Sequence, residues 1–344
     1  MIELIVILFG LILVIVTPVL FPLQKEPKGE KSHLHSISIR PTASHPAIPL
    51  RNPVRTWIVN VPLTPFRAPL KRLPPVDIPH SLIHPSITAV RNQGDCGSCW
   101  AFAICDSLSD RIYHRTKRSG RGAKLTLSPQ HLLNCYDPTG CEGGSPEECV
   151  IWMAKTKFRV TTASRIPYKA SSGGGSGIRA CTSSGIVGVG ENSVISIVEF
   201  IPEVAYDHAI LKQNILNMKR ELVLGGPIYS AISVYDDLFR FTGDGVYEHD
   251  PKSTIIGGHA IEIIGYVGNQ YWICKNSWGK EWPRQSKTPG YFKVKMGVNM
   301  CGIESRCGTA EPILYGERRW DNSECTSGEN GRFPNPPRCP TVSE

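Results

Sequence analysis

The hydrophobic pattern of this chain changes period once, at Gly225-Gly226-Pro227, and that change restricts the fold more than any other feature. Before it, apolar residues recur at helical spacing. Ala101, Cys105, Leu108 and Ile112 form one stripe behind Ser98, a residue suited to cap a helix. Ser145-Pro146-Glu147-Glu148 places a capping serine, a proline and two acids at the start of a second helix running to about Lys157. Thr161 to Gly190 has no period and contains Gly173-Gly174-Gly175, so it is expected to be irregular. A further helix carries Leu211, Ile215, Met218 and Leu222 on one face. After the glycines the pattern is that of strands: Ile228 to Val234, His259 to Val267, Tyr271 to Lys275 and Tyr291 to Met296. Helices followed by strands predict an α+β chain with a helical lobe and a sheet lobe.

The 344 residues suffice for one large domain or two lobes. A net charge of +8 is mild, and no segment interleaves basic and aromatic residues, which argues against a nucleic-acid partner. Twelve cysteines indicate an oxidising compartment and several disulfides. Residues 1–23 are almost wholly apolar, with Glu3 as the one charged side chain, and are long enough to span a bilayer. They lack a basic start and a small-x-small cleavage site, so an uncleaved membrane anchor is favoured over a cleaved signal. Lys25, Lys28 and Lys31 follow, and the positive-inside rule would put that flank in the cytosol, in conflict with a disulfide-rich domain; the topology stays open. Membrane anchoring or entry to the secretory pathway, lysosome-like or extracellular, is the expectation. Residues 24–72 are rich in proline and basic residues and form a linker or pro-segment, with Lys71-Arg72 as a processing site or an exposed charged pair. Residues 73–315 hold the catalytic candidates, and 316–344 form a polar tail with Cys325 and Cys339.

The run Gln93 to Phe102, QGDCGSCWAF, carries most of the chemistry. Cys99 falls in the first helical turn, where the helix dipole favours a thiolate nucleophile. Gln93 can return across two glycines to donate its amide to an oxyanion, with the Cys99 N–H as second donor. Gly257-Gly258-His259-Ala260 enters a strand, a rigid place for an imidazole. Asn276-Ser277-Trp278-Gly279 follows another strand; Asn276 can orient the His259 ring and Trp278 can shield that bond from water. Cys96-Gly-Ser-Cys99 as a redox pair would require a preceding strand of a βαβ unit, which is missing. No second CxxC or HxxxH spacing completes a zinc set, so no metal is expected.

These motifs, together with CEGG at Cys141 to Gly144, resemble the papain family of cysteine peptidases over Leu73 to Leu314. Ser233 to Leu238, Gly245-Val246-Tyr247, the glycine at Gly258 and Cys301-Gly302-Ile303-Glu304-Ser305 are most similar to the cathepsin B branch. The resemblance implies a papain-like two-lobe fold, a helical lobe plus an antiparallel β-barrel-like lobe with the active-site cleft between them. It implies Cys99 as nucleophile, His259 as acid and base, Asn276 as ring orienter and Gln93 as oxyanion donor. Gly143 and Gly144 would bind an extended protein or peptide substrate through their backbone. It also implies disulfides Cys96–Cys141 and Cys135–Cys181, and requires no cofactor. Cys105 with Cys149 is a further candidate pair. A catalytically inactive, binding-only member is the rival from another class, but such a protein usually lacks the Cys or the His.

Two departures from cathepsin B bear on specificity. That enzyme has a cysteine-bounded insertion with paired histidines, which closes one end of the cleft. Between Thr161 and Gly190 this chain has no histidine and one cysteine, Cys181, so an endopeptidase is expected. Where cathepsin B has a glutamate after its Cys-Gly-Ile-Glu-Ser run, near the floor of the pocket for the side chain two residues before the scissile bond, this chain has Arg306. Arg306 either favours acidic side chains there or turns outward into solvent.

Overall fold

The computed structural model describes residues 73–314, apart from 86, 119–121, 123, 137–139, 171–176, 183–184, 191–194, 200, 202–206 and 244. The apolar segment 1–23, the expected linker or pro-segment 24–72 with Lys71-Arg72, and the tail from 316 lie outside the described residues. Among those described, no helix is long and apolar enough to cross a membrane.

Helix α1 spans Cys99–Arg118 and is the axis of the first half. Trp100, Ile104, Cys105, Leu108 and Ile112 on it are buried, and each large apolar side chain contributes about 1.5–3 kcal/mol by leaving water. Two shorter helices pack against it. Helix α2, Pro129–Cys135, and helix α3, Pro146–Thr156, start alike: a serine hydroxyl, Ser128 or Ser145, accepts an N–H from the first turn, and proline follows. Lys157, in the left-handed conformation, ends α3. Disulfides Cys96–Cys141 and Cys135–Cys181 tie the start of α1 and the end of α2 to the loops beyond them. The candidate pair Cys105–Cys149 is not a disulfide: both thiols are free and buried in the helical core.

The second half is a seven-stranded antiparallel sheet with its own core. Its strands are β1 (Ser81–Ile83), β3 (Ile195–Ser196), β4 (Ile228–Tyr235), β5 (Ile255–Val267), β6 (Tyr271–Lys275), β7 (Tyr291–Lys295) and β8 (Cys307–Thr309). The order is β3-β8-β4-β5-β6-β7, with β1 on the part of β5 that β4 leaves unpaired. Strand β5 begins four residues before His259, so the histidine is interior to a 13-residue strand and does not open it. Strand β2 (Val187–Val189) pairs with β9 (Pro312–Leu314), giving a short ladder to the segment 161–190 that the sequence predicts to be irregular. Three residues with a partner over a hundred positions away leave no local period to detect. Helix α4, His208–Leu224, is capped by Asp207 and ends at Gly225.

Pairing of Ala231 with Ala260 and of Ser233 with Gly258 puts small residues on one face of the sheet, toward α1, while Ile232, Ile261 and Ile263 fill the other. The join between α1 and the sheet also holds a buried charged cluster. Lys275 Nζ lies 3.0 Å from Asp106, 3.0 Å from Glu262 and 3.7 Å from Asp110. Arg91 pairs with Asp106, and the Thr88 N–H donates to Asp110 at 2.8 Å. Three carboxyls face two cations, so full ionisation would leave one negative charge in excess. Burial pushes Asp110 up to about 6 and Glu262 well above the carboxylate range, so one proton held among them neutralises the group.

Candidate active site

Cys99 is the first residue of α1 and is fully buried. Burial pushes its thiol up to about 12, while the N–H groups of Ala260, Trp100 and Cys99 itself, directed at the sulfur, favour the thiolate. The Ala260 contact brings the thiol of α1 to strand β5, one residue beyond His259.

His259 is also fully buried. Its Nε2 lies 2.8 Å from Asn276 Oδ1, and the same oxygen accepts the Ser277 N–H at 2.8 Å. That second bond identifies Oδ1 as the acceptor end of the amide, so His259 Nε2 carries the hydrogen. In the neutral ring Nδ1 is then the basic nitrogen, and it has no hydrogen-bond partner among the described residues. Burial holds the imidazole down at about 4, against the hydrogen bond to Asn276, which acts to raise it. Trp278 covers the ring, centroids 4.7 Å apart, and is stacked in turn on Phe239 at 4.9 Å.

Gln93 is buried and tied twice to Ser277, two residues past β6: its N–H donates to Ser277 O at 2.8 Å, and its Oε1 accepts from Ser277 Oγ at 2.7 Å. Its Nε2 donates one hydrogen to Cys96 O at 3.0 Å and retains a second. Gln93, Cys99, His259, Asn276 and Trp278 are thus drawn from the start of α1, strand β5, the segment after β6 and the loop that precedes α1. Sequence reasoning missed Ser277, although it sits inside the Asn-Ser-Trp-Gly run, because a serine hydroxyl has no motif value until its partner is known.

Gly144 lies against the first turn of α1. A side chain on Gly144 would meet the Trp100 indole at 2.8–2.9 Å, and Gly143 has φ 135°, a conformation that favours glycine. Arg306 is 3% exposed, which excludes the outward orientation. Its guanidinium packs over Gly302, and Nη1 donates to Ser233 Oγ at 3.3 Å, on the small-residue face of the sheet. Among the described residues no group of three or more His, Cys, Asp or Glu side chains could hold a metal.

Comparison with known proteins gives the family and the fold. Residues 76–310 match the family described as papain family cysteine protease. A gut-specific cysteine proteinase of Caenorhabditis elegans is 34% identical over 244 residues, covering 64% of this chain and 67% of the relative. Cathepsin B-like CP3 of Giardia intestinalis is 33% identical, covering 64% and 68%. Among solved structures, procathepsin B S9 from Trypanosoma congolense shares the fold with a TM-score of 0.59 at 22% identity, over 76% of this chain and 87% of that one. This chain belongs to the papain family of cysteine proteases, in its cathepsin B-like branch.

Proposed function

We propose that this cysteine peptidase is an endopeptidase working through Cys99, His259 and Asn276. The observation that carries the proposal is the state of the His259 ring: one nitrogen is held by Asn276, and the other is basic, buried and without a partner beside the strand residue that binds the Cys99 sulfur. Nδ1 takes the Cys99 proton as the sulfur attacks the substrate carbonyl. The oxyanion receives the spare Gln93 hydrogen and the Cys99 N–H. The imidazolium then protonates the departing amine, and water hydrolyses the thioester with His259 as base. Moving the proton within the pair leaves the buried site neutral overall, so burial opposes it less than it opposes either charge alone. Gly143 and Gly144 pair with the substrate backbone, and Trp278 keeps water from the His259–Asn276 bond.

Residues 73–315 form the peptidase domain in this proposal. Residues 1–23 direct or anchor the chain in the secretory pathway, and 24–72 precede the domain as a pro-segment. The absence of histidine between Thr161 and Gly190 supports an open-ended cleft. Assaying one peptide with an amidated and with a free C-terminus tests this. Internal cleavage of both at comparable rates is expected, and uniform removal of dipeptides from the free acid alone would refute the endopeptidase assignment.

A further inference from the structure

Tyr168 stands outside every motif that marks the site, yet its hydroxyl reaches both ends of the loop from Gln93 to Ser98. It donates to Gln93 O at 2.7 Å. Its single proton is used there, so the 2.7 Å contact with Ser98 Oγ is a donation from the serine to the tyrosine. The ring is edge-on to Phe102 of α1, centroids 4.8 Å apart. The segment carrying it is fixed from α2, where Gln130 Oε1 accepts the N–H groups of Lys169 and Ala170 at 2.7 and 3.1 Å. Burial raises the phenol above its ordinary range, so it remains a donor across neutral pH.

The two proposed oxyanion donors have different anchors. The Gln93 amide is held at its oxygen from the sheet side by Ser277 and at its nitrogen by Cys96 O, whereas the Cys99 N–H belongs to α1. Oxyanion stabilisation depends on both donors reaching one oxygen at about 2.7–3.1 Å, so their mutual placement matters more than the strength of either. The chain Gln93 O, Tyr168 Oη, Ser98 Oγ crosses from one anchor to the other. Gln93 and Ser98 are fully buried, so water cannot easily take the place of the hydroxyl. Resting on the roles proposed above for Gln93 and Cys99, we propose that Tyr168 is a positioning residue that sets the Gln93 amide against the Cys99 N–H and so shapes the oxyanion pocket.

Tyr168→Phe removes one oxygen and keeps the ring on Phe102. The variant should lose about tenfold in kcat on a blocked peptide, with KM within about twofold. A peptide aldehyde, whose adduct oxygen occupies the oxyanion pocket, should bind about tenfold more weakly. Alkylation of Cys99 by iodoacetamide, which forms no oxyanion, should change by less than about twofold. Equal losses in all three measurements, or unchanged kcat and aldehyde binding, would overturn the assignment. Should Tyr168→Phe fail to fold, Ser98→Ala cuts the same bridge at its other end. It should weaken aldehyde binding and spare alkylation, and unaltered aldehyde binding would count against the proposal. The wild-type protein separates the two levels: if iodoacetamide modifies Cys99 without stopping turnover, the assignment of Cys99 fails independently of Tyr168.

Discussion

Asn276 Oδ1 accepts from both His259 Nε2 and the Ser277 N–H, so the backbone just past β6 orients the amide and the amide fixes one imidazole tautomer. The amide thereby leaves Nδ1 as the base. In Asn276→Ala the ring loses that bond and its tautomer is no longer selected. The expected result is a fall in kcat of roughly 10- to 100-fold with little change in KM, from steady-state kinetics on a blocked peptide. A variant that keeps wild-type kcat would show that the orientation of His259 does not depend on Asn276.

The protonation of Cys99 gives a second prediction. Beside a neutral His259, its buried thiol is pushed up to about 12, so little free thiolate exists at neutral pH without transfer of the proton. With His259 present, the proton can move to Nδ1 and alkylation does not wait for alkaline pH. Iodoacetamide should react with the wild type at a rate that is level around neutrality. In His259→Ala the rate should be low there and climb about tenfold per pH unit through the alkaline range. Matching profiles for the two proteins would contradict the pairing.

Arg306 offers a third. Its guanidinium lies inside, at Ser233 on the small-residue face beside Ala231 and Ala260, and not in solvent. At an effective dielectric near 20, unit charges about 4 Å apart interact by roughly 4 kcal/mol before desolvation. A substrate acid two residues before the scissile bond should therefore be preferred to arginine. Profiling a peptide library at that position checks this, and selection for arginine would reject it.

The fourth concerns the cluster between α1 and the sheet. Asp110 is raised to about 6 from an ordinary value of 3.8, mainly by burial, so the folded protein holds a proton that the unfolded chain releases between about pH 4 and 6. This contribution to stability is present below pH 4 and is lost as pH rises through about 6. Asp110→Asn cannot lose it, so relative to wild type the variant should gain on the order of 1–3 kcal/mol between pH 4 and pH 7. Urea unfolding at both pH values measures the difference. An unchanged difference would mean that the excess charge is relieved elsewhere.

Much of this architecture was legible in the residues, and the gaps have physical causes. Strands β6 and β7 show an alternating period because mainly one face is buried, whereas β4, buried on both faces, reads as a near-continuous apolar run and α1, buried all round over its first turns, still shows its apolar stripe. Helix α2 went unread although Ser128-Pro129 repeats the start of α3, since seven residues give too few turns for a period. Strands β1, β8 and β9 have three residues each and owe their form to distant partners. At the site, the Gln93, Cys99, His259 and Asn276 positions carry recognisable motifs. Ser277 and Tyr168 act through hydroxyls whose partners are 184 and 75 residues away, and no local pattern encodes such a pairing. The burial of Arg306 likewise depended on Gly302 and Ser233 leaving room for it.

The central claim is that Cys99 is the nucleophile, and active-site titration with a thiol-directed peptide epoxide tests it most directly. Activity should fall in proportion to the label bound, the mapped adduct should lie on Cys99, and Cys99→Ala should fold, take up no label and hydrolyse no peptide. Label on Cys105, Cys149, Cys274, Cys301 or Cys307 in step with lost activity, or near wild-type turnover by Cys99→Ala, would contradict it.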